Sequence, residues 1–415
     1  MHISKKSTTF AADFSKHRNG MLESFYVTHA NLVANLEVPI RRKLMDDVDW
    51  NDRLIAIKGG RGVGKTDFLL DYARHLRDTL PESEQRSVLY INLNNFYFTE
   101  HSLYEFAGEF VAAGGRTLLL DQTFKYENWS KELSNCYFRY TSLHIVFSAS
   151  PLMKLKEGNS DIGHIVKVYN FRGYSFREYL NLKTKANLPF YSLDDILQNH
   201  EQIARSVCTH VKPLWYFPDY LKQGYYPYRE VSRDFSETLL KTMNMMLEVD
   251  VLLNKPMDVS YLGKMRQLLY RLMLEVPCSL NITELATSIN TSRATIMNYI
   301  KNLKDARLLN LLYADGKEYP MKPSKVYMQN PNLCYAQTTR PVDQQAIAET
   351  FFYSALHGSE KINDSENSTF LVNHTIRMDV CATSPKTEVF RYTAVADIER
   401  GEDKLIPLWL FGFLY

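Results

Sequence analysis

Apolar residues along this chain change period in a regular order. Leu54 to Ile57 is a short unbroken apolar run, the pattern of a strand buried on both faces. After a glycine-rich turn, Phe68, Leu69, Tyr72, Ala73 and Leu76 recur at helical spacing within 67–76, which predicts an amphipathic helix. The alternation then repeats. "SVLYINLNN" (87–95) reads as a strand, "SLYEFAGEFVAAGG" (102–115) as a helix, Thr117 to Leu120 as a buried strand, and "LHIVFSAS" (143–150) as a further strand. A β-α-β-α-β order favours a parallel sheet with ligands at the carboxyl ends of its strands.

A second pattern begins near residue 258. Met265 to Glu275 is amphipathic, Thr283 is placed to cap the short helix "ELATSI", and Asn290 and Thr291 make a turn. Ser292 then caps a helix over 293–306 whose Ile296, Ile300 and Leu303 face inward, and serine at such a position satisfies free backbone N–H groups. "LLNLLY", "ADGKE" and "KVYMQ" follow as strand, turn and strand. The order is that of a winged helix-turn-helix. The remainder mixes a helix, "DQQAIAETFFYSAL", with strands in "STFLVN", "RMDVCAT" and "EVFRYTAVADI", and ends on "IPLWLFGFLY", too apolar for a free tail. "LWYFPDYLKQGYYPYRE" (214–230) concentrates tyrosine among prolines and glycine and reads as a packed connector, with base stacking as the alternative.

At 415 residues the chain exceeds one ordinary core, so about two to four domains are expected. Five segments are read: a helical stretch 1–50, a nucleotide-binding domain 51–185, a helical lid or connector 186–257, the winged helix 258–330, and an α+β domain 331–415. A net charge of +2 argues for no partner, so a nucleic-acid contact would need a local patch. The five cysteines are scattered without a CxxC pair, implying neither zinc nor a disulfide framework. "MHISKKSTTFAADF" lacks an apolar leader and no run approaches a membrane span, so a cytoplasmic protein is expected.

The strongest chemical signal lies in the first turn. Gly59, Gly64, Lys65 and Thr66 match G-x-x-x-x-G-K-[ST] between a predicted strand and a predicted helix, the context the motif requires. In Gly59-Gly60-Arg61-Gly62-Val63-Gly64 the glycines let backbone N–H groups turn inward around phosphate oxygens, and the helix N-terminus adds its dipole. Lys65 reaches the β- and γ-phosphates and the Thr66 hydroxyl holds Mg²⁺. ATP and Mg²⁺ are therefore the expected ligands. Asp121, ending the strand Thr117–Leu120, is placed for a metal-bound water. Ser148 and Ser150, ending the next strand, are candidates to sense the γ-phosphate.

These stretches, with "GGRTLLLDQTFKYENWSKEL", "YNFRGYSFREYL", "LKQGYYPY" and "IPLWLFGFLY", resemble bacterial and archaeal P-loop ATPases of the extended AAA type. The resemblance implies an α/β fold: a P-loop NTPase parallel sheet followed by a winged helix-turn-helix and a small α+β C-terminal domain, the last related to restriction-endonuclease folds. The frame Lys125, Tyr126, Trp129 is kept, but the glutamate that follows the strand-end aspartate in that family is Gln122 here. Two arginines expected before "FREYL" are replaced by "SDIGHIV", in which Ser160 keeps the serine. An intact binding loop without these groups predicts an ATP-binding AAA-type protein with weak hydrolysis, Gln122 orienting water or Glu127 substituting. The alternative is a DNA-binding regulator with a residual nucleotide site. It would use Arg293, Asn298, Lys301 and Lys304 on the third helix, the N-terminal ones at base edges and the lysines at phosphates. A protein partner or self-association is the other use of such a helix. A metal nuclease would need Glu349, Asp379 and a Glu-x-Lys, but Glu388 is followed by Val389 and Phe390.

Overall fold

The structure is a computed structural model, which describes residues 22–252, 260–336 and 341–415. The first fourteen residues, read above for a leader, and the 257/258 boundary lie outside the described residues. The chain divides into two compact units. One runs to Gly59 and resumes over Lys65–Phe171; the other comprises Gly60–Gly64 and Arg172–Tyr415.

The first unit is built on a five-stranded parallel sheet. Its strands are β1 (Leu54–Gly59), β2 (Val88–Asn92), β3 (Thr117–Asp121), β4 (His144–Ala149) and β5 (Lys167–Phe171), in the order β2-β3-β4-β1-β5. Four of these are the apolar runs read from the sequence. The fifth, β5, carries no such signal: it is an edge strand whose Lys167 and Asn170 are exposed, and an edge needs only one covered face. Helices Lys65–Thr79, Leu103–Ala112 and Trp129–Arg139 pack with the sheet. Ser102 caps the second by accepting from the Glu105 N–H. Leu89, Leu118, Leu120, Ile145 and Phe147 join Phe106 and Phe110 in one buried core. Because β4 lies between β3 and β1, a side chain at its carboxyl end adjoins the ends of both.

The second unit begins, after Arg172, with helices Phe176–Thr184, Leu193–His210 and Pro213–Asp219. Capping boxes at Ser175/Glu178 and Ser192/Asp195 start the first two. Within 214–230, Tyr220, Tyr225 and Tyr226 are buried. The Asn332 side chain donates to the Tyr220 and Leu221 carbonyls and accepts from the Tyr225 N–H. Helices Ser260–Glu275, Ile282–Ser288 and Arg293–Asp305 precede an antiparallel pair, β6 (Leu309–Leu312) and β7 (Lys325–Met328). The Ser292 cap is present, but Thr283 is not a cap: Asn281, two residues earlier, accepts from the Glu284 N–H, because the helix already starts at Ile282. The chain ends in helix Gln344–Leu356, buried throughout from Ala346, and a mixed sheet β12-β11-β10-β9-β8. Those strands are β8 (Ile362–Asn363), β9 (Phe370–Val372), β10 (Ile376–Cys381), β11 (Tyr392–Val395) and β12 (Leu405–Pro407). Residues 388–390 are not part of a strand, and Phe390 is exposed. Ile406 to Leu414 are all buried, as their composition requires. No helix among the described residues is long and apolar enough to cross a membrane.

Candidate functional site

In the first unit β1 ends at Gly59, where a side chain is excluded: a Cβ would stand 2.3 Å from the Phe171 carbonyl oxygen on β5. The Lys65 Nζ donates to the Gly59 carbonyl at 2.8 Å. Next along the helix, the Thr66 hydroxyl donates to Asp121 Oδ2 at 2.7 Å. Asp121 is buried and takes three further donors. The Tyr90 hydroxyl reaches Oδ2 at 3.0 Å, the Ser148 hydroxyl reaches Oδ1 at 2.5 Å, and the Gln122 N–H reaches Oδ1 at 2.8 Å. A buried carboxylate is tolerated only with such satisfaction. Burial, and then the charge of Asp121, raise the Tyr90 pKa, so the phenol keeps the proton it donates.

Gln122 stands in the left-handed region, φ 57°, uncommon for a residue with a side chain. Its N–H is shared between Asp121 and the Ser148 hydroxyl, the latter at 3.0 Å. Its side-chain Oε1 is buried without a hydrogen-bond partner among the described residues. Of the two serines, Ser148 is the one the structure brings to Asp121. Ser150 turns to its own loop, accepting from the Leu152 N–H at 3.4 Å. Glu127 is exposed.

The middle of the glycine-rich loop, Gly60 to Gly64, groups with the second unit. Gly62 and Gly64 have φ of 80° and 92°, which glycine alone adopts without strain. Gly62 is also closed over: a Cβ there would stand 2.8 Å from Tyr228 Cε1. Arg61 forms a two-point ion pair with Asp250, Nη2 to Oδ1 at 2.5 Å and Nε to Oδ2 at 3.2 Å. Sequence reasoning missed Asp250; it is 189 residues from Arg61, and nothing in its local pattern marks it.

The Thr66 hydroxyl and the Asp121 carboxylate, 2.7 Å apart, form a hard oxygen donor pair. Such a pair fits Mg²⁺, which keeps most of its shell for water and phosphate, so the residues present suit Mg-ATP. Elsewhere the candidate chemistry is engaged. On the third helix Lys301 and Lys304 both pair with Asp305, and Asn298 accepts from the Tyr319 hydroxyl of the β6–β7 turn. Arg293 is exposed. Glu349 accepts from the Tyr327 hydroxyl and Gln345, and Asp379 from the Thr369 N–H. No cluster of three or more His, Cys, Asp or Glu able to hold a metal occurs among the described residues.

Residues 51–180 match the family model described as an AAA domain. A curated relative, the uncharacterized protein MJ1637 of Methanocaldococcus jannaschii, is 25% identical over 293 residues, or 67% of this chain. The chain spans about 60% of that relative's length. Similar solved structures include AMPPCP-bound DnaA from Aquifex aeolicus, at 16% identity and TM-score 0.25, covering 68% of this chain and 87% of that one. Another is PCH-2 from C. elegans, at 13% identity and TM-score 0.24, covering 70% and 68%. At such scores neither carries an argument. The match over 51–180 supports an ATP-binding domain of AAA type.

Proposed function

We propose that this chain is a cytoplasmic protein that binds Mg-ATP at Gly59–Thr66 and hydrolyses it slowly, holding the nucleotide as a switch. The observation that carries this is the Thr66–Asp121 hydrogen bond, which joins the motif's hydroxyl to the strand-end carboxylate. Thr66, with Asp121 behind it, would hold Mg²⁺, and the ion would supply charge neutralisation at the phosphates. Lys65 would leave the Gly59 carbonyl for phosphate oxygens, and the loop N–H groups would hold the phosphates in place. Asp121 would accept from metal-bound water while Ser148 and Tyr90 fix its orientation. Gln122 would orient the attacking water but, being an amide, would not take its proton.

The three helices and β6–β7 ribbon support a winged-helix reading, used here for packing or protein contact. DNA contact is the weaker use, since two of its four candidate side chains are paired with Asp305 and a third with Tyr319. The engaged carboxylates Glu349 and Asp379 support a C-terminal domain without nuclease activity.

The test is ATP binding and turnover on one preparation. Mg-ATP at 100 times Kd should stabilise the fold by about 2.7 kcal/mol, and Lys65→Ala should lose most of that thermal shift. No shift at millimolar ATP removes the proposal.

A further inference from the structure

We infer that Asp250 is a positioning residue for the nucleotide phosphates, acting through Arg61; the inference rests on the ATP site proposed above. Arg61 occupies a position of the G-x-x-x-x-G-K-[ST] motif that the chemistry leaves open, since only backbone is needed there. In this chain that position is tied down. The Nε and Nη2 edge of its guanidinium meets both carboxylate oxygens of Asp250, at 3.2 and 2.5 Å. This fork-to-fork geometry fixes direction as well as distance. Asp250 is 4% exposed. A carboxylate so buried is held only by strong pairing, so the contact constrains Arg61 rather than decorating it.

Two further contacts in the same unit bear on the same five residues. Tyr228 lies against Gly62, and Arg307 lies beside Gly60, where a Cβ would stand 3.8 Å from its own Cβ. Gly62, with its positive φ, turns one of the N–H groups that a phosphate would use. The loop backbone is therefore held by residues of 172–415 through the ion pair at Arg61 and the ring at Gly62, with the Arg307 stem beside Gly60. Preorganised donors bind an anion more tightly than donors that must first be ordered. The guanidinium edge that meets Asp250 is not available to phosphate, so Arg61 works here by holding the loop.

The test is a double-mutant cycle on the full chain, reading Mg-ADP and Mg-ATP affinity by calorimetry. Asp250→Ala and Arg61→Ala should each weaken both nucleotides about tenfold, because the loop serves the phosphate common to both. The double variant should be no weaker than either single one, as coupled partners require. Arg61→Lys, which keeps the charge without the planar fork, should still lose several-fold. Melts without nucleotide check folding, and if Asp250→Ala does not fold, Asp250→Asn and Arg61→Lys carry the comparison. Losses that multiply to about a hundredfold mean independent roles and overturn the inference. Unchanged or tighter nucleotide binding in Asp250→Ala also overturns it, and would mean that the aspartate holds Arg61 away from phosphate. If the wild type binds neither nucleotide, the ATP site itself falls, a result distinct from both.

Discussion

The two units use buried polar groups in opposite ways. In the first, polarity converges on one point: Thr66, Tyr90, Ser148 and the Gln122 N–H all donate to Asp121, and the surrounding strands are almost wholly apolar. In the second, polarity is dispersed. Asn332 ties Tyr220, Leu221 and Tyr225, Asn330 donates to the Tyr226 hydroxyl, and the Tyr353 hydroxyl donates to the Leu311 carbonyl. On the proposed function, the convergent set prepares a charge for a ligand. A dispersed set satisfies irregular backbone that helices and sheets leave open.

Removing the convergence point should do the most damage. Asp121→Ala leaves three hydroxyl donors and one N–H facing an apolar methyl group. The cost of unpaired buried polar groups, about 3 kcal/mol in total, should appear as a lower melting temperature without ligand. The Mg²⁺ dependence of any ATP-induced shift should disappear as well. An Asp121→Ala protein that keeps both would mean that the carboxylate is only a strand-end residue.

The dispersed set is broken one residue at a time. Asn332→Leu keeps the volume but strands two carbonyls and one N–H, so chemical denaturation should show a loss of about 2 kcal/mol. A neutral result would mean that relaxed backbone or water satisfies those groups, and that the contrast between the units is weaker than drawn.

Legibility in the sequence follows local patterning rather than the division between the units. Strands β1 to β4, the glycine-rich turn after β1 and Asp121 at the end of β3 are readable because each is written in consecutive residues with a fixed period or spacing. The edge strand β5 is not, having one covered face and exposed Lys167 and Asn170. The cap at Asn281 was displaced from Thr283 because two polar residues flank Ile282 and either side chain could start a helix. Ser148 and Ser150 were equivalent in sequence, and strand alternation alone does not say which one meets Asp121. Asp250 had no signal at all, since its partner is 189 residues away. Tertiary pairing of this kind leaves no local period.

Acid should separate the units by a smaller amount. The His29 Nδ1 accepts from the Tyr90 N–H at 2.9 Å in the first unit, so the ring must be neutral there. Burial, and then Arg77, lower its pKa from 6.5 to about 4. With the folded value below the unfolded one, its contribution is intact above pH 6.5 and is lost as pH falls towards 4, because the unfolded chain takes the proton first. By pH 5 the loss is roughly 2 kcal/mol at most. His29→Gln, which still offers an acceptor but does not titrate, should flatten the stability–pH slope over that window. An unchanged slope would exclude His29 as its source.

The smallest effect is expected at Gln122, and it tests the slow turnover proposed above. Asp121 is committed to four donors and cannot also take the attacking water's proton. The neighbouring Gln122 is the side chain proposed for that task, and its amide oxygen is buried without a partner among the described residues. An amide can orient water but accepts no proton. Gln122→Glu should therefore raise single-turnover hydrolysis by a modest factor with little change in ATP affinity, since the acid acts mainly on the transition state. The gain is limited in two ways. The charge-stabilising arginines expected before "FREYL" are still missing. A second carboxylate beside buried Asp121 also meets like-charge repulsion, which favours its protonated form until a divalent cation is present. The substituted protein should accordingly be less stable than wild type without Mg²⁺ and approach it with Mg-ATP. Fast wild-type turnover that falls on this substitution would overturn the argument, since glutamine would then be the working residue and the left-handed turn at 122 would serve to aim its amide.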